Sequence, residues 1–247
     1  MDGNYKYYNY IDSFSRLDEI LASSNSSFED LESLPSRDRL TFTNGFYGYC
    51  SALFVDVRDS SQLPETYQRR VLARIYRAFI SETVAILNGE VSVREVNIVG
   101  DCVWAVYNTP QTTDINDVFS VAARVNILEN VLAFKMSRAG LKTPIRFGIG
   151  LSYGRALMIK AGHKGSAIND VVYMGDVVNQ AAHLANLGGK GASPWSGGSP
   201  RIHMDSAFQQ NLNDHNQGLT RRVQWFPREV YASDAVNTGM SDWLDAQ

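Results

Sequence analysis

Two aspartates stand where strand ends would present metal ligands. Asp56 closes the apolar run Ser51-Ala52-Leu53-Phe54-Val55 and is followed by a polar turn through Arg58, Asp59, Ser60 and Ser61. Asp101 sits between two further apolar runs, in Val99-Gly100-Asp101-Cys102-Val103-Trp104. Carboxylate oxygens are hard donors that suit Mg2+ and Mn2+. Two acids on separate, stiff strand ends fit a two-metal site for phosphoryl chemistry. The plainer alternatives are a strand-end carboxylate capping the turn at Ser60 and Ser61, and an ordinary hairpin aspartate.

The elements that must position these acids follow from pattern. Phe46 to Val57 is rich in aromatic, small and β-branched residues and predicts a central strand. Pro64 opens a helix to about Leu87, with an apolar stripe of Val71, Leu72, Ile75, Phe79, Ile80, Val84 and Leu87, ended by Asn88-Gly89. Glu90 to Val99 and Cys102 to Tyr107 form a hairpin turned by Gly100-Asp101. Asp114 caps a second long helix, which ends at Arg138-Ala139-Gly140. Pro144 to Leu151 is a strand, Tyr153-Gly154 turns it, and Arg155 to Lys160 continues as another.

Beyond these come a loop from Ala161 to Gly165, a strand from Asp170 to Met174 and a helix from Val177 to Leu187. Gly188 to Pro200 is a loop, Arg201 to Asp205 a strand, Ser206 to Leu212 a helix, and Thr220 to Tyr231 a strand pair. The order gives an α+β fold, a ferredoxin-like βαββαβ palm with an added small α/β lobe. Residues 1–45 read as a helical arm and linker that packs on the domain, with helical spacing from Ile11 to Leu21 and a further short helical stretch from Phe28 to Leu34. Residues 46–233 form the catalytic domain and 234–247 a loosely ordered tail.

Composition narrows the partners. The chain is 247 residues long, 44% hydrophobic and 20% charged, which is ordinary for a globular protein. A net charge of −3 gives no reason to expect nucleic-acid or membrane-surface binding. Cys50 and Cys102 lie inside apolar runs and read as buried free thiols, as in a reducing compartment. No basic-then-apolar leader opens the chain, and no apolar run reaches the roughly 20 residues of a membrane span. A cytoplasmic location is the expectation.

Five motifs in order resemble the class III nucleotidyl cyclases, over about Phe46 to Leu212. Phe54-Val55-Asp56-Val57 looks like the family's first metal-binding strand, and Val99-Gly100-Asp101 like the hairpin with the second metal ligand. Ile145 to Gly154 is similar to the family's Arg-x-Gly-Ile-His-x-Gly strand. Gly175-Asp176-Val177-Val178-Asn179-Gln180-Ala181 matches Gly-x-x-Val-Asn-x-Ala, and Ile202 to Ser206 resembles the strand that follows.

The resemblance implies cyclisation of a nucleoside triphosphate with two divalent metal ions, Mn2+ or Mg2+. Asp56, Asp101 and the Val57 carbonyl would be metal ligands. Asn179 would hold the ribose and the reacting phosphate. The backbone amides of Asp59, Ser60 and Ser61 would cradle phosphates, although this turn departs from the family's Gly-Phe-Thr. His183 stands where many members carry a phosphate-binding Arg; it is either a protonated phosphate donor or a packing residue. The missing cation then comes from Lys164, Arg155, Arg221, Arg222 or Arg228.

Base choice rests on Asn97 and Val172, which stand where adenylate cyclases have Lys and Asp or Thr and guanylate cyclases Glu and Cys or Ser. An amide donates and accepts, so Asn97 suits either pyrimidine edge, while Val172 leaves part of a purine edge unpaired. Among Phe46, Tyr47 and Tyr49, one ring, Tyr49 being the choice, would fill the space of a purine or else serve as core. The combination is similar to the bacterial anti-phage pyrimidine cyclases of Pycsar systems, which make cyclic UMP or cyclic CMP for a separate effector. UTP is favoured over CTP on overall likeness. The resemblance also implies a homodimer with shared sites, the metal ligands from one chain and Asn97, Val172 and Asn179 from its partner. The rival readings are an adenylate or guanylate cyclase with an unusual pocket, a diguanylate cyclase, whose Gly-Gly-Asp/Glu-Glu-Phe turn Val99 to Val103 replaces, and an inactive nucleotide- or partner-binding domain.

Overall fold

Side chains alternate along one long strand, Gly45–Val57, and sort the core into two halves. Leu53, Val55 and Val57 face one way with Phe79, Val103, Tyr107, Phe119 and Ile149. Phe46, Cys50, Ala52 and Phe54 face the other way with Val106, Ala156, Met158, Val177 and Ala181. The computed structural model describes residues 2–141, 144–164, 168–190, 199–224 and 227–247.

In chain order the elements begin with α1 (Tyr10–Leu21), β1 (Phe28–Leu31), β2 (Gly45–Val57), α2 (Leu63–Thr66) and α3 (Arg69–Asn88). Then come β3 (Val93–Val99), β4 (Cys102–Tyr107), α4 (Thr112–Arg138), β5 (Phe147–Gly162), β6 (Asn169–Met174) and α5 (Asp176–Ala185). The chain closes with β7 (Ile202–Asp205), α6 (Ser206–Gln210), α7 (Asp214–Gly218), β8 (Thr220–Gln224), β9 (Val230–Ser233) and α8 (Thr238–Asp245).

The sheet runs β3-β4-β2-β5-β7-β9-β8, with β1 added to β2 and β6 to β5. Its first four strands are antiparallel neighbours joined through α3 and α4, which is the expected βαββαβ palm. The added elements extend this sheet past β5, while α5 covers the second face. Helices α3 and α4 cover the first face with Ile75, Phe79, Val118, Val121, Val125 and Leu128. Each such fully buried side chain contributes about 1.5–3 kcal/mol. Tyr107, wholly buried, donates its hydroxyl to the Leu87 carbonyl at 2.9 Å and so satisfies the C-terminal end of α3.

Several boundaries differ from expectation. The turn placed at Tyr153-Gly154 does not form: both residues stay in the ladder, opposite Ser51 and Cys50, and β5 runs unbroken. The stretch from Phe28 is not helical but a short parallel strand on β2. Leu34 and Leu40, at 2% and 6% exposure, pack into the core, so the domain begins before residue 46. Helix α1 has no fully buried residue, and its Arg16, Glu19 and Ile20 line a cavity with Phe28, Phe42 and Ile159 of the domain. The tail is ordered as α8, held by Trp243 edge-on to Phe134 at 6.2 Å and by the Asn126 amide on the Ala235 carbonyl at 2.9 Å. Asp114 is not the N-cap of α4 but accepts from the Gln111 backbone N–H, one turn inside. Residues 191–198 of the Gly188 to Pro200 loop, Gly165 of the earlier loop and residues 225–226 of the last strand pair lie outside the described residues.

Candidate active site

Asp56 and Asp101 meet because β2 and β4 are paired so that Asp56 lies directly opposite Cys102, the residue after Asp101. The two-residue turn needs Gly100 at φ 62°, a left-handed conformation that glycine adopts without strain. Burial pushes the Asp56 carboxyl above its ordinary range; Arg58 and Lys190 pull it down and Asp101 pushes it up. The two carboxylates therefore feel each other's charge. Cys102 lies beside both, and burial together with these acids pushes its thiol up to about 12. Both cysteines are free, as expected.

This donor set fits hard divalent cations: two converging carboxylates whose mutual repulsion a cation relieves. Among the described residues no third His, Cys, Asp or Glu joins them. The Val57 side chain is buried in the core, so only its backbone is left to serve the site. After Val57 the chain turns through Asp59, whose φ of 53° is left-handed. The amides of Gln62 and Leu63 are spent on the Asp59 and Ser60 carbonyls at 2.9 and 3.3 Å. The turn is braced by Arg146, whose guanidinium is 2.8 Å from the Asp59 carboxylate. Burial and the nearby Asp101 charge push the Tyr76 hydroxyl of α3 up in pKa, while the neighbouring Ser60 pulls it down.

The face that carries Asp56 also carries Phe54, Trp104 and Asn97. Phe54 pairs with Trp104 across β2–β4, and Asn97 pairs with Trp104 across β3–β4. Phe54 and Trp104 stack with 5.0 Å between centroids and 6° between planes. Strand alternation turns Tyr49 to the opposite face, where it stacks on Tyr153 at 5.8 Å. Of the three aromatics considered, Phe46 is the one on the Asp56 face. Within one chain Val172 does not share that face either; its neighbour Tyr173 packs there, against Met158, while Val172 pairs with Ile159 and is exposed.

Helix α5 buries Val177, Ala181, Leu184 and Ala185 and leaves Asn179 and His183 exposed on its outer side, four residues apart. It lies unusually close to β5. A Cβ on Gly148 would stand 2.2 Å from the Ala185 carbonyl oxygen, and one on Gly150 would stand 2.0 Å from that of Ala181. The candidate phosphate cations are largely engaged elsewhere. Arg155 pairs with Asp30 at 2.6 Å, Arg221 with Asp234 at 3.2 Å and Arg222 with Glu229 at 2.7 Å. Arg228 lies 3.6 Å from Asp176, and Lys164 lines a cavity under α1. The cations that the structure does bring to Asp56 are Arg58 and Lys190, with Arg146 on Asp59 of the following turn; sequence reading passed over all of them. Only the adjacency of Arg58 to Asp56 was visible in the sequence.

A model of the adenylate and guanylate cyclase catalytic domain matches residues 44–222. This chain belongs to that family. Its fold is that of a nucleotidyl cyclase, and class III cyclases in general depend on divalent metal ions. A protein named Uridylate cyclase from Treponema porcinum is 34% identical over 240 residues, covering 96% of this cyclase and 81% of that protein. Another Uridylate cyclase, from Gulbenkiania mobilis, is 41% identical over 193 residues, covering 76% and 74%. Among solved structures, the adenylyl cyclase CyaB from P. aeruginosa superposes with a TM-score of 0.61 at 17% identity, over 77% of this cyclase and 95% of that chain. At that identity the likeness speaks for the fold. No described helix is long and apolar enough to cross a membrane.

Proposed function

We propose that this cyclase converts UTP to 3′,5′-cyclic UMP and pyrophosphate. The observation that carries the reading is that two relatives at 34% and 41% identity, spanning most of the chain, are both Uridylate cyclases. The chemistry at Asn97 supports it. A Lys or Glu that would read a purine is absent there, and an amide meets the uracil edge with one donor and one acceptor.

In the reaction the ribose 3′-oxygen bonds to the α-phosphorus, the bond from that phosphorus to the bridging oxygen of pyrophosphate breaks, and the hydroxyl proton passes to solvent. Asp56, Asp101 and the Val57 carbonyl would hold two Mn2+ or Mg2+ ions, which when bound would supply the charge that acidifies the hydroxyl and neutralises the triphosphate. The turn at Asp59, Ser60 and Ser61 offers backbone donors to phosphate oxygens, with Arg146 and Lys190 as nearby positive charge. Asn179 orients the ribose, and His183, where many relatives hold an Arg, donates to phosphate when protonated. Asn179 and His183 are exposed on the outside of α5, which supports a homodimer in which they complete the partner's site. Val172 and Tyr49, turned from the Asp56 face of their own chain, contact nucleotide only across such an interface. The cyclic nucleotide then acts as a second messenger in antiviral defence, read by a separate effector in the cytoplasm; the support is the Pycsar resemblance.

Incubating the protein with Mn2+ and each of UTP, CTP, ATP and GTP, with products separated by mass, tests the reading. Cyclic UMP is the expected main product. Cyclic CMP would move the substrate to the other pyrimidine, and a purine product would overturn the base assignment. Mixing an Asp56→Ala chain with an Asn179→Ala chain tests the shared site: one competent site per heterodimer restores activity, and no rescue between folded, exchanging chains would sink it.

A further inference from the structure

Arg58 follows the metal-ligand strand directly, yet its side chain does not reach solvent. It is 7% exposed, and its guanidinium spans two elements. One terminal nitrogen lies 3.5 Å from the Asp56 carboxylate and 3.4 Å from the Asn186 carbonyl oxygen. The other donates to the Ala185 carbonyl. Ala185 is the last residue of α5 and Asn186 its C-cap, so these acceptors belong to the carbonyl end that a helix leaves unsatisfied. A cation there also opposes the negative end of the helix dipole.

The surrounding backbone makes room for this contact. A Cβ at Gly148 would lie 2.3 Å from the Arg58 terminal nitrogen, and one at Gly189, whose φ is 66°, would lie 3.8 Å from the Arg58 Cγ. The Arg58 backbone N–H is tied to the Arg146 carbonyl at 2.7 Å. The guanidinium is thus a planar fork with one prong on the metal carboxylate and the other on the helix that exposes Asn179 and His183. Burying a charge is costly even when it is paired, so its retention here fits a role in holding the strand and the helix in register.

We infer that Arg58 is a positioning residue that locks β2 to α5, so that the strand presenting Asp56 to one active site and the helix presenting Asn179 to the other move as one unit. The inference rests on the shared-site reading above. It assigns Arg58 two separable effects. Through α5 it sets the nucleotide contacts of the partner's site. Through its charge beside Asp56 it weakens the pull of its own carboxylate pair on a divalent cation.

Arg58→Met keeps the stem and removes the fork. Arg58→Lys keeps the charge but has no planar pair of donors for two carbonyls and a carboxylate. Two quantities are measured on the full-length protein: Mn2+ affinity without nucleotide, by electron paramagnetic resonance, and affinity for 3′-deoxy-UTP, by calorimetry. For Arg58→Met, Mn2+ affinity rises several-fold while nucleotide affinity falls about 10-fold. For Arg58→Lys, Mn2+ affinity stays near wild type and nucleotide affinity still falls; this variant carries the test if Arg58→Met does not fold.

Heterodimers separate the two arms. Placed in the Asp56→Ala chain, whose α5 serves the one competent site, Arg58→Met raises KM for UTP. Placed in the Asn179→Ala chain, whose Asp56 serves that site, it lowers the Mn2+ concentration for half-activation. Equal weakening of metal and nucleotide binding, no change in either, or full rescue by Lys would each overturn the inference. Wild-type protein that turns over no nucleotide would instead refute the function reading, and the Mn2+ titration would still report on Arg58.

Discussion

Asn97 and Trp104 stand directly opposite each other on the β3–β4 ladder, and Trp104 lies flat on Phe54 of β2. The amide is therefore anchored beside a rigid aromatic pair, on the same sheet face as Asp56. Uracil presents a carbonyl and an N–H, cytosine an amino group and a bare nitrogen. Asn97→Asp leaves only acceptors at this position. With UTP the uracil carbonyl then faces a carboxylate, an unpaired contact worth about 1–3 kcal/mol. The expected outcome is a fall in kcat/KM for UTP on the order of 10- to 100-fold, with a smaller change for CTP. Equal losses on both substrates would remove Asn97 from base reading.

His203 is buried at 6% exposure on β7, and burial drives its pKa from 6.5 down to about 4, with the Arg58 and Arg221 charges acting the same way. The folded protein holds it neutral while the unfolded chain protonates it at the ordinary value. The unfolded state thus binds more protons between pH 6.5 and 4, and stability rises with pH there. The contribution is complete above pH 6.5 and is lost as pH falls towards 4, about 3 kcal/mol in all. The raised carboxyls of Glu129 and Asp205 slope the opposite way, so the variant must be compared with wild type. Denaturant unfolding of His203→Gln across this range should show a flatter acid limb; an unchanged slope would contradict the assignment.

The palm was legible because its signals are local. Asp56 ends an apolar strand, Gly100-Asp101 is a turn pair, and the stripes of α3 and α4 repeat at helical spacing. What sequence could not show was which face a residue takes in a long twisted ladder. Tyr49 and Val172 were one position from the face that holds Asp56 and Asn97, and a one-residue step reverses a side chain. The expected turn at Tyr153-Gly154 failed for a related reason: cross-strand pairing with Ser51 and Cys50 outweighs the local turn preference of glycine. Arg58 and Lys190 were missed because their proximity to Asp56 depends on how the end of α5 and the following residues fold back.

Trp243 shows that the last residues are part of the domain. It meets Phe134 edge-on, and the Lys135 ammonium lies over its ring at 4.6 Å. Such contacts at a partly exposed site are worth about 1 kcal/mol together. Trp243→Ala should lower Tm by roughly 2–4 °C and leave kcat unchanged, since nothing in α8 touches the candidate site. A drop in kcat at full stability would show that α8 acts on the site.

Gly150 holds α5 against the sheet at a distance that no other residue permits. A Cβ there would stand 2.0 Å from the Ala181 carbonyl oxygen and 2.3 Å from the Ala185 backbone nitrogen. Both obstacles are helix backbone, so no side chain can rotate away. Gly150→Ala must therefore lift α5 or bend β5 between its partners Phe54 and His203. Overpacking of this kind costs about 1–3 kcal/mol or more. If the protein folds, the lifted helix displaces Asn179 and loosens the Arg58 contacts at Ala185, while Asp56 and Asp101 keep their ladder positions. The expected signature is a KM for UTP raised at least 10-fold, with Mn2+ binding at the carboxylates retained. Wild-type KM in a folded Gly150→Ala protein would show that α5 does not set the nucleotide contacts.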